Sequence, residues 1–272
     1  MAAIVLMSAL PNVCSAGALA SKPGQYDARR SPVKFGPRTI HATYIEPTRP
    51  QHPGYFLVFM TGDGGWHGAS SEIFEHLADD GYSIAGFSAP EILRPVRRSG
   101  QRVRFAVAAQ RYAQLFAQAR RDLGVGSAAG MIVVGFSRGA SVVAFSAVSR
   151  TLRPELVGAV AIALTRETDY LKAPEPSDRE PDLHVDAKDR IQLYPALKLI
   201  GSMPLAVIQS TNDRYVPSAE SRELLGPDTP TRRLYEVPAR NHRFKGGRDT
   251  LLHDLDSALD WIESVRTASS GP

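Results

Sequence analysis

The chain has 272 residues, 43% of them hydrophobic, which is enough to bury a large core, and an α/β fold of this length is commonly one domain. Its formal net charge of +4 is only a small excess, so we predict no nucleic-acid partner. The single cysteine, Cys14, excludes an intrachain disulfide, and the Cys and His residues show no metal-ligand spacing, so neither a metal nor an organic cofactor is predicted.

The N-terminal segment differs in composition from the rest of the chain. Residues 1–10 are almost wholly apolar, and the small residues that follow offer two small-x-small cleavage sites, which end at Ala18 and Ala20. The apolar stretch is too short for a permanent bilayer anchor, and no Lys or Arg precedes it. We predict a cleaved signal peptide over residues 1–20 and a periplasmic or secreted protein, with a frayed cytosolic N-terminus as the alternative. Residues 21–37, rich in Gly, Pro, Ser and Arg, are predicted to form a leader into the first strand.

Short apolar segments typical of strands alternate along the chain with segments of helical periodicity. Parallel strands connected by helices produce this alternation, so we predict an α/β fold with a mostly parallel central sheet and helices on both faces. A single domain over residues 38–266 contains these elements, and residues 267–272 form a tail. The predicted strands cover residues 39–45, 54–59, 83–87, 131–134, 156–164, 205–209 and 234–237.

Three segments place apolar residues at helical spacing. The first begins with Ser70 or Ser71 as its cap and ends at Gly81. The second is a long helix over residues 105–123, and the third is a final helix over residues 251–262.

The longest segment between predicted core elements covers residues 165–197. It is polar and rich in proline. In a fold of this class an insertion at this point often lies over the active site, so we predict a cap segment.

The sequence Gly-Phe-Ser-Arg-Gly at residues 135–139 directly follows the strand 131–134 and directly precedes an apolar helical segment. A strand, a sharp turn and a helix in this order form the nucleophile elbow of the α/β-hydrolase fold, where flanking glycines admit a strained turn that exposes a serine hydroxyl. Ser137 is therefore predicted to be the nucleophile. Short patterns of Gly and Ser also recur by chance, so the prediction depends on the partners that follow in the chain.

Two later loops supply the other groups that a serine nucleophile needs. Asp213 follows the strand 205–209, and His242 follows the strand 234–237. Ser137, Asp213 and His242 thus occur in the order nucleophile, acid, base that α/β-hydrolases use. We predict that Asp213 orients His242, whose other ring nitrogen takes the Ser137 proton.

Alternative residues exist for the acid and for the base. Glu167 and Asp169 follow an earlier strand, a position from which some hydrolases take their acid. Asp213 is preferred because it follows the later strand, in a loop that ends in Val-Pro. His67 lies next to the glycine-rich loop that follows strand 54–59 and is a minor alternative to the predicted base.

This glycine-rich loop has the sequence Thr-Gly-Asp-Gly-Gly-Trp at residues 61–66. Acyl transfer passes through an oxyanion, which two backbone N–H groups stabilise with little reorganisation. In the α/β-hydrolase fold the residue after the nucleophile, here Arg138, supplies one N–H and this loop supplies the other, so we assign Asp63 as the second donor with Gly64 as its competitor. A phosphate cradle is the alternative, but the loop has neither the dinucleotide-binding spacing nor the Lys-Ser/Thr of a P-loop.

Together these motifs resemble the VirJ/AcvB group of bacterial virulence-associated α/β-hydrolases. The resemblance spans about residues 55–262, and Gly-Asp-Gly-Gly-Trp at residues 62–66 is its most distinctive part. Its other parts are the elbow with its following alanine, Gln-Ser-Thr-Asn-Asp at 209–213 and the Asn241-His242 loop. Many esterases share the elbow and the acid loop. The resemblance implies export to the periplasm and hydrolysis of aminoacylated phosphatidylglycerol, with removal of lysine from the lipid head group.

The predicted reaction is ester cleavage through an acylated Ser137. The resemblance implies an aminoacyl ester of a membrane phospholipid, of the lysyl-phosphatidylglycerol type, as the substrate. Two alternatives stay open. One is a general carboxylesterase acting on small esters, and the other is a non-catalytic periplasmic binding or assembly factor with this fold.

Asp63, Trp66 and Arg138 are predicted substrate contacts. The Asp63 carboxylate would attract the substrate ammonium, and Arg138, at a helix N-terminus, would meet its phosphate. For Asp63 the alternative is an Asx hydrogen bond that stabilises its own turn. A group of arginines before the long helix is predicted to contact phosphate or an anionic membrane surface, or else to form an exposed basic loop: Arg94, Arg97, Arg98, Arg102 and Arg104.

Overall fold

A central eight-stranded sheet organises the residues that the structure describes, which are residues 20–269 of a computed structural model. Four further strands of two residues each form two small ladders outside this sheet within that range. In chain order the elements are β1 (Tyr26–Phe35), β2 (Arg38–Pro47), β3 (Tyr55–Met60), α1 (Ala69–Asp79), β4 (Ser83–Phe87), α2 (Ala89–Ser99), β5 (Val103–Arg104), α3 (Phe105–Asp122), β6 (Gly130–Phe136), α4 (Arg138–Val148), β7 (Leu156–Ile162), β8 (Glu167–Thr168), β9 (Leu171–Lys172), β10 (Ile191–Gln192), α5 (Leu193–Leu197), β11 (Leu205–Ser210), α6 (Ser218–Leu225), β12 (Arg232–Val237) and α7 (Arg248–Ser269).

The order of the strands in the main sheet is β1-β2-β4-β3-β6-β7-β11-β12. β2 pairs antiparallel with both β1 and β4, whereas every neighbouring pair from β4 to β12 is parallel. Helices α1 and α7 pack on one face of the sheet, and α3 and α4 pack on the other. The predicted α/β fold, with a mostly parallel sheet covered on both faces, is confirmed.

The elements whose apolar pattern is continuous in sequence match their predictions closely. β4 covers the predicted residues 83–87, and α3 begins at Phe105 and ends one residue before Leu123. The strands β6 and β7 are almost wholly buried, as expected for parallel strands with helices on both sides.

The segment 21–37 is not a leader, because it contains β1, and that prediction is wrong. β1 and β2 form an antiparallel hairpin that pairs Tyr26 with Pro47 at its open end. Its turn contains Gly36 at φ +58°, a conformation that favours glycine. β1 is an edge strand with only three of its ten residues buried, among them Phe35, so it lacks the apolar run of the central strands.

Residues 89–99 form helix α2, for which the sequence analysis predicted no element, so the alternative of a basic loop is wrong for this segment. Pro95 lies inside the helix, and an interior proline usually argues against a helix. Ile92 and Leu93 hold α2 in place, because both are buried in the core beneath it. Gly100 ends the helix in a left-handed conformation that favours glycine.

Helix α1 begins at Ala69 without a side-chain cap, so neither Ser70 nor Ser71 has the predicted capping role. The hydroxyl of Ser70 instead accepts a 3.1 Å hydrogen bond from the N–H of Gly62. Ser70 therefore fixes the glycine-rich loop to the start of α1.

The insertion 165–197 is held by short ladders and by the main core. β8 pairs with β10, and β9 pairs with β5 just before α3. Tyr170, Leu183 and Tyr194 are buried in the same cluster as the inner faces of α3 and α4. The insertion is thus a packed part of the domain.

The predicted signal peptide lies outside the described residues except for Ala20, as do Cys14 and residues 270–272 of the predicted tail. Between residues 20 and 269, none of the helices combines the length and the apolar character that a membrane span requires.

Candidate active site

Ser137 lies in a strained turn between β6 and α4. Its backbone has φ 55° and ψ −111°, which a residue other than glycine rarely adopts. Its N–H donates a 2.8 Å hydrogen bond to the carbonyl of Ile162 at the end of β7. The turn is therefore tied to the sheet, with the local geometry predicted for a nucleophile elbow.

Close backbone contacts require the glycines on both sides of Ser137. A Cβ on Gly135 would lie 2.4 Å from the carbonyl oxygen of Gly139, and a Cβ on Gly139 would lie 2.0 Å from that of Met60. Both distances are far below van der Waals contact, so only glycine fits without movement. The start of α4 can thus pack against the end of β3, which brings Ser137 next to the loop that follows β3.

Replacing Gly139 with alanine is expected to lower the free energy of unfolding by about 1–3 kcal/mol, because the added methyl group forces α4 away from the Met60 carbonyl. Urea unfolding followed by circular dichroism measures the change. Gly126→Ala is the matched control, since a Cβ there would meet no atom within 4 Å. Equal stability of the two variants would contradict the claim that this contact restricts position 139 to glycine.

The structure brings Ser137, His242 and Asp213 together from three separate loops. The Oγ of Ser137 lies 2.8 Å from Nε2 of His242, and Nδ1 of His242 lies 2.6 Å from Oδ2 of Asp213. Both distances are those of hydrogen bonds. The three side chains therefore form a continuous chain from hydroxyl to imidazole to carboxylate, and their roles as nucleophile, base and acid stay a prediction.

Asp213 is buried, with 1% of its surface exposed, and its carboxylate is held by two further donors. The side-chain amide of Gln209 donates to Oδ2 over 3.0 Å, and the N–H of Tyr215 donates to Oδ1 over 2.9 Å. These bonds fix the carboxylate in the orientation that faces His242. The sequence analysis named Gln209 only as part of the resemblance and missed this role; its signal was a polar side chain near the end of the otherwise apolar strand β11.

The alternative acids make other contacts in the structure. Glu167 pairs with Arg190 at 2.5 Å, and Asp169 pairs with Arg138 at 2.8 Å. His67, the minor alternative for the base, is exposed. The described contacts thus bring Asp213, and neither alternative acid, to the imidazole.

The glycine-rich loop at residues 61–66 lies beside the nucleophile. A Cβ on Gly62 would be 3.3 Å from the Cβ of Ser137. The N–H of Gly62 donates to Ser70, and that of Gly65 donates to the Gly62 carbonyl over 3.0 Å, so these two N–H groups are engaged within the structure. The loop therefore lies beside Ser137, and Asp63, with Gly64 as its competitor, stays the predicted second donor of an oxyanion hole.

The Arg138 side chain connects this loop to the insertion. Its Nε lies 3.3 Å from Oδ1 of Asp63, and its Nη1 lies 2.8 Å from Oδ1 of Asp169. Burial lowers the pKa of Arg138, but the two carboxylates outweigh it and raise the pKa above its ordinary value. Arg138 and Asp63, both predicted substrate contacts, are thus partners of each other in this structure.

A cavity of about 160 Å³ opens beside Ser137. The insertion supplies half of the lining residues, so it borders the space in front of the nucleophile. Carboxylates and guanidinium groups dominate this lining, whose described members are Asp63, Ser137, Arg138, Thr165, Glu167, Asp169, Arg190 and Tyr215.

Trp66, predicted as a substrate contact, packs within the domain instead. Its ring lies 4.8 Å from that of Phe74 and 6.1 Å from that of Phe59, as measured between centroids. It is not among the described residues that line the cavity beside Ser137. The indole therefore anchors the glycine-rich loop to β3 and α1, which carry Phe59 and Phe74.

The predicted group of arginines divides into two sets. Arg94 and Arg98 lie exposed on α2. Arg102 pairs with Asp189, and Arg104 pairs with Asp178, so these two tie the start of α3 to the insertion. The side chain of Arg97 lies outside the described part.

Solved structures of hydrolases share this fold. Est1E from Butyrivibrio proteoclasticus has 13% sequence identity and a TM-score of 0.59, over 86% of this chain and 99% of that chain. The esterase Pf2001 of Pyrococcus furiosus has 16% identity and a TM-score of 0.55, over 89% of this chain and 93% of that chain. Acylaminoacyl peptidase of Pyrococcus horikoshii has 15% identity and a TM-score of 0.57, over 88% of this chain and 42% of that chain. At these identities the likeness concerns the fold alone.

No curated protein matches the sequence. Residues 54–173, which include the glycine-rich loop, the elbow and the start of the insertion, match the family model described as bacterial virulence protein (VirJ). The resemblance predicted from the motifs is therefore confirmed over this segment: the chain is similar to VirJ and has the α/β-hydrolase fold.

Proposed function

We propose that this protein is a serine hydrolase that cleaves a carboxylic ester through an acyl-enzyme. The observation that carries the proposal is the chain of contacts at 2.8 Å and 2.6 Å that joins Ser137, His242 and Asp213. The fold supports it, because the structural neighbours include the esterase Pf2001 of Pyrococcus furiosus and an esterase domain from Rhodothermus marinus. Fold alone does not define an activity, so the residues of the site bear the argument.

In the first half of the reaction, Oγ of Ser137 attacks the ester carbonyl carbon while Nε2 of His242 takes its proton. The negative charge moves to the carbonyl oxygen, where the N–H of Arg138 and an N–H of the glycine-rich loop stabilise it. The carbon–oxygen bond to the alcohol then breaks, and the alcohol leaves with the proton from His242. Asp213 stabilises the imidazolium throughout these steps.

In the second half, water replaces the alcohol. His242 takes a proton from the water as it attacks the acylated Ser137. The tetrahedral intermediate then releases the carboxylic acid, and the proton returns from His242 to Oγ of Ser137. The products are one acid and one alcohol, and the enzyme regains its starting state.

We further propose that the ester is an aminoacyl ester of an anionic phospholipid, of the lysyl-phosphatidylglycerol type. The cavity beside Ser137 supports this choice, because carboxylates of Asp63, Glu167 and Asp169 line it and attract an ammonium group. The match to VirJ over residues 54–173 supports it as well. Arg138 and Arg190 share the cavity and balance part of that negative charge.

Export to the periplasm or outside the cell belongs to the same proposal, as does contact of Arg94 and Arg98 on α2 with an anionic membrane. The apolar segment at residues 1–10 supports export. N-terminal sequencing of the exported protein is expected to give a chain that begins after Ala18 or Ala20. A chain that begins at Met1 would contradict cleavage.

Turnover on two substrates tests the proposed specificity. Vesicles that contain lysyl-phosphatidylglycerol are expected to release lysine with kcat/KM at least about tenfold above that for p-nitrophenyl butyrate, because only the lipid carries the ammonium group. Faster turnover of the small ester would favour a general carboxylesterase instead. A fluorophosphonate probe that fails to label Ser137 would favour a non-catalytic binding or assembly factor.

A further inference from the structure

A second cavity, of about 280 Å³, lies between α2, α3 and the Tyr170 segment of the insertion. Its volume is roughly twice that of a cavity that holds a benzene molecule. Phe35, Leu93, Val96 and Leu171 supply apolar walls. Such walls suit an alkyl chain.

The charged groups of this cavity are all positive. Among the described residues that line it, Arg38, Arg102 and Arg111 are cations, and none is Asp or Glu. Burial lowers the pKa of Arg38, and the neighbouring Arg111 lowers it further. Two neighbouring guanidinium groups, those of Arg38 and Arg111, next to an apolar space form a site for an anion.

Hydrogen bonds hold the guanidinium of Arg38 in place, and the side chain of Arg111 packs against a turn. Arg38 donates to the carbonyl oxygens of Glu91 and Ile92, at 3.0 Å and 2.7 Å. Arg111 lies against the β1–β2 turn, where a Cβ on Gly36 would be only 2.6 Å from its Nε. The cations are therefore positioned before any ligand arrives.

The buried hydroxyl of Tyr112 is a polar group of this cavity that needs a hydrogen-bond partner. Tyr112 lines the cavity and is 1% exposed, and its hydroxyl has no hydrogen-bond partner among residues 20–269. A buried hydroxyl without a partner is unfavourable unless a ligand or water satisfies it. The side chains of Tyr170 and Arg38 act on the pKa of this hydroxyl through their charges, and both line the same cavity.

This cavity and the one beside Ser137 are both neighbours of a third cavity, with which each shares lining residues. The third, smaller cavity shares Arg138 and Asp169 with the cavity beside Ser137. It also shares Arg102 and Tyr170 with the cavity between α2 and α3. The three cavities therefore lie next to one another, and the ligand proposed below would cross the third to reach the reacting ester.

We propose that the cavity between α2 and α3 binds an anionic amphiphile, whose phosphate contacts Arg38, Arg111 and the Tyr112 hydroxyl and whose alkyl chain fills the apolar walls. This inference rests on the proposed function, in which the phospholipid is the leaving alcohol. The ligand at this site would be the phosphodiester of that phospholipid and the nearest part of one acyl chain. It assigns the lipid part of the substrate to a site that is separate from the carboxylates beside Ser137.

Binding of decyl phosphate, measured by isothermal titration calorimetry below its micelle concentration, tests the proposal on the full wild-type chain. The phosphate ester is not a carboxylic ester, so binding is measured without turnover. We expect saturable binding of one molecule, with inorganic phosphate and decyltrimethylammonium at least about tenfold weaker, because each lacks one of the two recognised features.

Two variants with matched controls locate the site. Arg111→Gln is expected to weaken decyl phosphate binding by at least about tenfold, through loss of a charge-assisted contact. Tyr112→Phe is expected to weaken it about threefold to tenfold without lowering the melting temperature, because the deleted hydroxyl has no partner in the unliganded chain. Arg121→Gln on the same helix and Tyr26→Phe, whose hydroxyl is also buried without a partner in the described chain, should change binding less than about twofold.

The outcomes separate this inference from the proposed function. Absent binding, equal binding of inorganic phosphate, or unchanged affinity in Tyr112→Phe would overturn the amphiphile site even if the enzyme hydrolyses lysyl-phosphatidylglycerol. Binding with the expected variant effects would uphold the site even if no ester were hydrolysed. Should Arg111→Gln fail to fold, the Tyr112→Phe pair decides the question.

Discussion

Replacing Ser137 or His242 with alanine is expected to lower kcat/KM for ester hydrolysis by about 10⁴-fold or more, because each change removes a member of a group that acts as a unit. Ser137→Ala removes the attacking oxygen, and His242→Ala removes the only base within 2.8 Å of it among the described contacts. Steady-state rates on lysyl-phosphatidylglycerol vesicles and on p-nitrophenyl butyrate give the change. Fluorophosphonate labelling reports the nucleophile directly.

Two control variants make this result specific. Ser141→Ala changes a serine in the first turn of α4, four residues after the nucleophile, and should keep fluorophosphonate labelling. His253→Ala changes an exposed histidine on α7 and should keep turnover. All four variants should melt cooperatively near the wild-type temperature. Retained turnover in Ser137→Ala, or loss of the folded state in both site variants, would contradict the assignment.

Asp213→Asn is expected to reduce kcat by about 10⁴-fold while the fold is retained. The amide N–H₂ that faces Nδ1 of His242 would donate to it, and the ring proton would then lie on Nε2. That tautomer cannot accept the Ser137 proton. The N–H of Tyr215 still donates to the remaining oxygen, Oδ1, and keeps the side chain oriented, whereas the amide of Gln209 loses its acceptor at Oδ2. The variant therefore tests the charge and the tautomer together with the loss of one supporting hydrogen bond.

Glu167→Gln and Asp169→Asn are the matched controls for this change. Each removes one carboxylate from the cavity beside Ser137, and neither residue contacts His242 among the described bonds. We expect kcat to stay within about tenfold of the wild-type value, with any effect expressed as a higher KM for the ammonium substrate. A loss in Glu167→Gln as large as that in Asp213→Asn would transfer the acid role to Glu167.

The elements that could be predicted from the sequence are those whose buried residues repeat in a local apolar pattern. β4 and α3 bury a face that repeats at the strand or helix period, so their bounds followed from the residues themselves. β1 and α2 depend on distant partners: β1 pairs along the whole length of β2, and α2 is held by Ile92 and Leu93 against the core despite Pro95. Tertiary packing overrides local propensity at such places.

The part of the candidate site that follows from the order of loops along the chain could be predicted from the sequence. Ser137, Asp213 and His242 each follow a parallel strand, and the carboxyl ends of parallel strands meet at one edge of a sheet. Gln209 and Ser70 could not be found in this way, because their roles are hydrogen bonds across the fold. For Trp66 the motif suggested a role that the structure does not show. Its place in a distinctive motif predicted a substrate contact, but its ring packs against those of Phe59 and Phe74.

Ser137 and His242 are 105 positions apart in the chain, yet their reacting atoms are within hydrogen-bond distance. That proximity exists only while β6, β7, β11 and β12 remain paired side by side, since the two loops leave different strands of that array. The proposed turnover therefore requires this long-range strand pairing. Its loss on heating reports the cooperative unfolding of the sheet more directly than a spectroscopic signal from the helices does.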